Sequence, residues 1–120
     1  MTYYKDSYHE ELYLDFMGRL KTRDQDYSAF AYVASAIGKK EIATALEANS
    51  IDYEALWKMS SVWSNAEKAM LEVAWQVFSG GNFFEDDEEN WSFPSIGSIF
   101  KSLDTGNSKV VIEAITKKFI

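Results

Sequence analysis

Residues 64–81 read SNAEKAMLEVAWQVFSGG, and this stretch decides the fold class. Ser64 with Glu67 three positions later has the form of a capping box, in which each side chain satisfies a backbone N–H left open by the first helical turn. Met70, Val73, Ala74, Val77 and Phe78 follow at helical spacing, so one face is apolar. Gly80 and Gly81 stop the pattern. The spacing predicts a helix between that cap and that stop, running through the centre of the core.

Toward the N-terminus the same grammar repeats. Ser7 with Glu10 is a second capping-box pattern, and Leu12, Phe16 and Leu20, with Tyr13 and Met17 beside them, make an apolar stripe to about Lys21. Asp24 or Asp26 caps a second helix bearing Tyr27, Phe30, Ala31, Ala34 and Ile37, with Gly38 placed to end it in a left-handed conformation. Lys39–Ala48, with Ile42, Ala45 and Leu46, reads as a short helix. Asp52 caps another through Tyr53, Leu56 and Trp57. Trp57 and Trp63 read as core residues, and Tyr3, Tyr4 and Tyr8 as packing on a helix or forming a second contact patch.

Toward the C-terminus periodicity fails from Gly80 to Pro94, a long connection for a small domain and so the place to look for function. Pro94 suits a first helical turn, with Ile96, Ile99, Phe100 and Leu103 behind it. Asp104-Thr105-Gly106-Asn107 is turn chemistry. Asn107 then caps a last helix with a stripe of Val111, Ile112, Ile115 and Phe119, closed by Lys117 and Lys118 where cations favour a helix end. The β-branched Val110–Ile112 could form a strand, but the cap and the closing lysines favour helix. The fold expected is all-α: a single compact, irregular bundle of five to seven helices over residues 1–120, with one long acidic loop.

Composition narrows the class. The chain has 120 residues, enough for one core and too few for two. No apolar stretch is long enough to cross a bilayer, and Met1–Lys5 does not begin a signal peptide. With no cysteine there are no disulfides and no thiolate metal sites, which suits the cytoplasm. The 12 basic and 19 acidic residues give a net charge of −7. Without Glu85–Glu89 the balance is 12 against 14, so much of the acidity is one local feature. Direct nucleic-acid binding is disfavoured, because it needs a basic stripe; a basic protein surface is the natural partner.

That local feature reads FFEDDEENWSF at residues 83–93. Glu85, Asp86, Asp87, Glu88 and Glu89 repel one another and stay in water, whereas Phe83, Phe84, Trp91 and Phe93 favour leaving it. The bland reading is a solvated loop whose aromatics fold back onto the bundle. The functional reading is a docking element, with the four aromatics as buried anchors and the carboxylates steering toward lysine or arginine on a partner.

Catalytic chemistry is scarce. His9 is the only histidine, and its position favours a helix-start residue over a base. Glu10-Glu11 and Asp24-Asp26 lie at helix N-termini, where negative charge is favoured without any catalytic role. The acidic run lacks the alternating ligands and central glycine of a calcium loop. Neither a GxGxxG nor a GxxxxGK[ST] motif is present. The expectation is a non-enzyme with no cofactor and no metal.

Trp63-Ser64, Lys68, Met70-Leu71, Ala74, Val77-Phe78 and Gly80 resemble the central signature of a small helical family of unknown function from Bacillus-type bacteria and their phages. His9, Asp26-Tyr27 and Ala31-Tyr32 fit the same pattern, while the acidic insert from Glu85 departs from it. The resemblance rests mainly on core positions and implies a helical fold. It further implies a phage anti-defence inhibitor that binds a NAD-depleting, sirtuin-domain bacterial defence protein and blocks it by occupancy in the host cytoplasm. The competing readings are an acidic nucleic-acid mimic and another phage helical adaptor or assembly protein. A mimic needs carboxylates spread over a face, whereas here they cluster in one run.

Overall fold

A computed structural model gives the fold of residues 2–79 and 100–119, which are the described residues. It is mostly helical, with five α-helices among those residues: α1 (Ser7–Leu20), α2 (Gln25–Ala36), α3 (Tyr53–Ser60), α4 (Asn65–Ser79) and α5 (Thr105–Phe119). A 3-10 turn (Lys40–Ala45) and two very short strands, β1 (Leu46–Glu47) and β2 (Ser50–Ile51), join α2 to α3. The stop at Gly80-Gly81, the connection to Pro94 and most of the helix expected after it lie outside the described residues, although Phe100–Ser102 are helical.

The capping box forms as read. The Ser64 N–H donates to Glu67 Oε1 at 2.9 Å, and the Glu67 N–H donates to Ser64 Oγ at 3.2 Å. That backbone donor is the main reason the Glu67 carboxyl titrates below its ordinary value. Lys39 closes the corner, 3.3 Å from Glu67 Oε2 and over the ring of the buried Trp63. Beyond the cap, Ala69–Ala74 are all buried, so several faces of α4 are covered. Full burial of Met70 and Leu71 stabilises the fold by roughly 1.5–3 kcal/mol each. α4 packs chiefly on α2, itself buried continuously from Phe30 to Ala36, and α1 and α5 cover other sides of α2.

Asp24 caps α2 by accepting from the Asp26 and Tyr27 N–H groups, and Gly38 follows at φ 82, where glycine avoids a steric cost. Asp52 caps α3 through the Ala55 N–H. Four details differ from the sequence reading. The α1 cap is Asp6 rather than Ser7: Asp6 Oδ1 accepts from the His9 N–H at 2.7 Å. Lys39–Ala48 is not one helix; its second half enters a hairpin with Leu46 opposite Ile51 and Glu47 opposite Ser50. Asn49 turns that hairpin at φ 56, a conformation asparagine tolerates better than most residues. Its N–H donates to the Leu20 carbonyl at 2.8 Å, satisfying an acceptor that the end of α1 leaves open.

The remaining two differences concern α5. Asp104, not Asn107, caps it, accepting from the Asn107 N–H at 2.8 Å. The helix buries Val110, Val111 and Ala114, whereas Ile112 and Ile115 of the expected stripe are exposed. Ala114 lines a cleft together with Ala29 and Tyr32 of α2.

Candidate functional site

The contact element expected from the sequence, Phe83, Phe84, Glu85, Asp86, Asp87, Glu88, Glu89, Trp91 and Phe93, lies outside the described residues. What is described is the platform from which the chain enters it. Near the end of α4, Trp75 and Phe78 stand at i, i+3 on one face, 5.4 Å apart between ring centres. Phe78 meets Tyr27 edge-on at 4.9 Å and Phe30 at 6.1 Å, while Trp75 meets Tyr53 at 5.3 Å. Such tilted and edge-to-face pairs add about 0.5–1.5 kcal/mol each beyond burial. The rings draw α2, α3 and α4 together, so Ser79 leaves a firmly held base. Periodicity alone placed Phe78 in the core but gave Trp75 no role; the i, i+3 spacing was the available signal.

His9 is buried in the core between Tyr4 and Tyr32, with ring centres 5.2 and 5.1 Å away. Its Nδ1 accepts from the Lys5 N–H at 3.2 Å, and its Nε2 lies 2.8 Å from the Tyr32 carbonyl. A carbonyl can only accept, so the tautomer that serves both contacts carries its proton on Nε2. Both nitrogens are thus occupied by backbone. Burial is the largest influence on the ring and pushes its pKa below the ordinary value of 6.5. Nothing in this geometry offers a nucleophile a base; it is a staple between the N-terminal residues and α2.

Those N-terminal residues form a strap across α2 and α5. The Tyr3 N–H donates to Glu113 Oε2 at 3.0 Å, the Tyr32 hydroxyl donates to the Tyr3 carbonyl, and Lys5 Nζ donates to Asn107 Oδ1 at 3.1 Å. Burial pushes the Tyr32 and Tyr4 hydroxyls above their ordinary pKa. Tyr3 and Tyr4 are therefore packing residues, while Tyr8 is exposed. A cleft of about 190 Å³ remains between strap and helices, lined by Thr2, Tyr13, Gln25, Ser28, Tyr32 and Lys117 among others. Its polar groups largely serve one another: Lys117 Nζ donates to Thr2 Oγ1 at 2.9 Å and pairs with Glu113 at 3.4 Å, and Gln25 Nε2 donates to the Lys117 carbonyl at 3.1 Å.

Trp63 is buried and Trp57 is partly buried against the core. One ionisable residue escaped the sequence reading. Glu72 falls off the apolar stripe of α4 and is nevertheless fully buried, because that helix is covered on more than one face. Among the described residues no group of three or more His, Asp or Glu side chains is placed to hold a metal ion, and no helix is long and apolar enough to cross a membrane. No family model, curated protein or solved structure matches the chain.

Proposed function

We propose that this chain is a non-catalytic protein-binding inhibitor, a firm helical body that presents residues 83–93 to a protein partner. The observation that carries the reading is one juxtaposition in the sequence: five carboxylates between two pairs of large aromatics, directly after the buried helix α4. Phe83, Phe84, Trp91 and Phe93 are the anchors, and Glu85–Glu89 pair with basic side chains of the partner. The aromatic platform of Tyr27, Tyr53, Trp75 and Phe78 supports this reading, because a contact element on a rigid base loses less freedom on binding. The use of both His9 nitrogens by backbone supports a role without chemistry. The resemblance to the phage-associated family supports a target class, a NAD-depleting sirtuin-domain defence protein of the bacterial host, blocked by occupancy in the cytoplasm.

The test is a binding measurement between the purified chain and such an NADase at low and high salt. A stoichiometric complex is expected, with association slowed about tenfold or more as salt rises and cellular NAD preserved. Replacing all five carboxylates Glu85–Glu89 by lysine should abolish the salt dependence and most of the affinity. Unchanged affinity and salt response in that variant would rule out this contact element. Displacement of labelled DNA from a DNA-binding protein, with no NADase complex, would favour the nucleic-acid mimic.

A further inference from the structure

Two residues near the end of α1 are the reverse of what stability alone would select. Gly18 lies within the helix, where glycine is a poor helix former, and a Cβ added there would meet no atom of the described residues within 4 Å. Among the described residues, neither packing nor an unusual backbone angle calls for glycine at this position. Three residues on, Lys21 ends the helix in the left-handed conformation, at φ 52 and ψ 39, where glycine is the favoured residue and a lysine is strained. The Lys21 N–H satisfies the Met17 carbonyl at 3.0 Å, a bond that glycine would make without the strain. Such breaches of local preference concentrate where a surface serves something outside the fold.

The surroundings say what that something is. Tyr13, Leu14, Met17, Gly18, Lys21 and Arg23 line a shallow cleft of about 540 Å³ along the exposed side of α1. Leu14 is 61% exposed, so the floor holds a large apolar side chain with no cover from the described residues. Lys21 and Arg23 are exposed at one end, and their side chains make no ion pair or hydrogen bond among the described residues. The neighbouring acids are engaged locally: Asp15 pairs with Arg19 at 3.3 Å, and Asp24 caps α2. On a chain of net charge −7 this leaves an apolar floor under a cationic end.

We propose that this face of α1 is a docking surface for an acidic segment of a partner protein that carries a large apolar side chain. The apolar group lies over Leu14 and Met17, the absent side chain of Gly18 lets the partner's backbone come close, and Lys21 and Arg23 meet its carboxylates. The proposal uses none of residues 83–93, and it stands whether or not that segment binds a target.

The experiment is a nuclear magnetic resonance titration of the full-length chain with a short synthetic peptide rich in glutamate and bearing one tryptophan, beside the same peptide with lysine for glutamate. Shifts at the Leu14, Met17, Gly18 and Lys21 amides are expected with the acidic peptide alone. Gly18→Ala and Lys21→Gly should each raise the melting temperature by about 2–4 °C. Each should also weaken the peptide at least threefold, and Gly18→Leu should block it. A combined Lys21→Glu, Arg23→Glu variant should weaken it at least tenfold. The proposal is overturned if these amides do not respond, if the lysine peptide binds equally, or if Gly18→Ala stabilises the fold without weakening the peptide. Dimerisation of the wild-type chain that Gly18→Ala abolishes would assign the face to a second copy and overturn it equally.

Discussion

Helices α1 and α4 are nearly equal in length, 14 and 15 residues, yet they are built to different ends. In α4 the cap, the stripe and the burial agree: a reciprocal capping box opens it, and the segment Ala69–Ala74 is enclosed. In α1 only His9, Leu12, Phe16 and Leu20 are buried, while Leu14 faces outward and Gly18 and Lys21 sit against local preference. A helix whose residues all serve the fold has no freedom left for anything else. One that departs from local rules on its outer face has retained residues for which the fold alone gives no reason.

The contrast is tested most severely by truncating one leucine in each helix. Leu71→Ala should cost about 2–5 kcal/mol in urea unfolding, since it opens a cavity in the core, whereas Leu14→Ala should stay within about 0.5 kcal/mol. A loss above about 2 kcal/mol for Leu14→Ala would show that α1 has no free face, and the comparison would fail.

Next in size is the staple at the start of α1. His9→Asn should cost about 1–3 kcal/mol at pH 7.5, because the buried partners of the ring lose their hydrogen bonds. The folded-state pKa of His9 is depressed, so above pH 6.5 the ring is neutral both folded and unfolded. As the pH falls below 6.5 the unfolded chain takes up a proton that the native core resists. Stability should therefore decline as the pH falls from about 7 to the lowered folded-state pKa. Because His9 is the only histidine, thermal melts of His9→Asn over this range should be flatter than wild type. An equal slope in the variant would move the titration elsewhere.

The smallest effect sharpens the contrast at the helix starts. Ser64→Ala should remove about 1 kcal/mol, as the Glu67 N–H loses its acceptor, and should lower the denaturant midpoint without changing the slope. A neutral result would mean that solvent replaces the serine and that the reciprocal box adds nothing to α4.

The parts of the fold that were legible from the sequence are those where local and global preferences coincide. Ser64, Glu67, Asp24, Asp52 and Gly38 each perform the local task their chemistry suggests. The reading slipped where two local solutions tie. Asp6 and Ser7 are both good caps, as are Asp104 and Asn107, and in each case it is the aspartate that accepts the cap hydrogen bond. It also slipped where distant contacts decide. Two-residue strands carry no alternation to detect, and the hairpin is fixed by Asn49 reaching Leu20 and by the Tyr27 hydroxyl, which donates to the Asn49 carbonyl at 2.7 Å. On α5, which packs on α2 and α4, Val110 is buried and Ile112 is exposed. For the site, sequence reading found a charge and aromatic pattern at 83–93. The aromatic platform near the end of α4 and the exposed face of α1 depend on which helices adjoin.

The strap has a consequence for assembly of the chain. Tyr3 to Glu113 and Thr2 to Lys117 join positions 110 and 115 apart, so closing those bonds means closing a loop almost as long as the molecule. Strap and last helix also rest on α2, but their mutual bonds make them partners in a latch, so trimming either end would loosen the other.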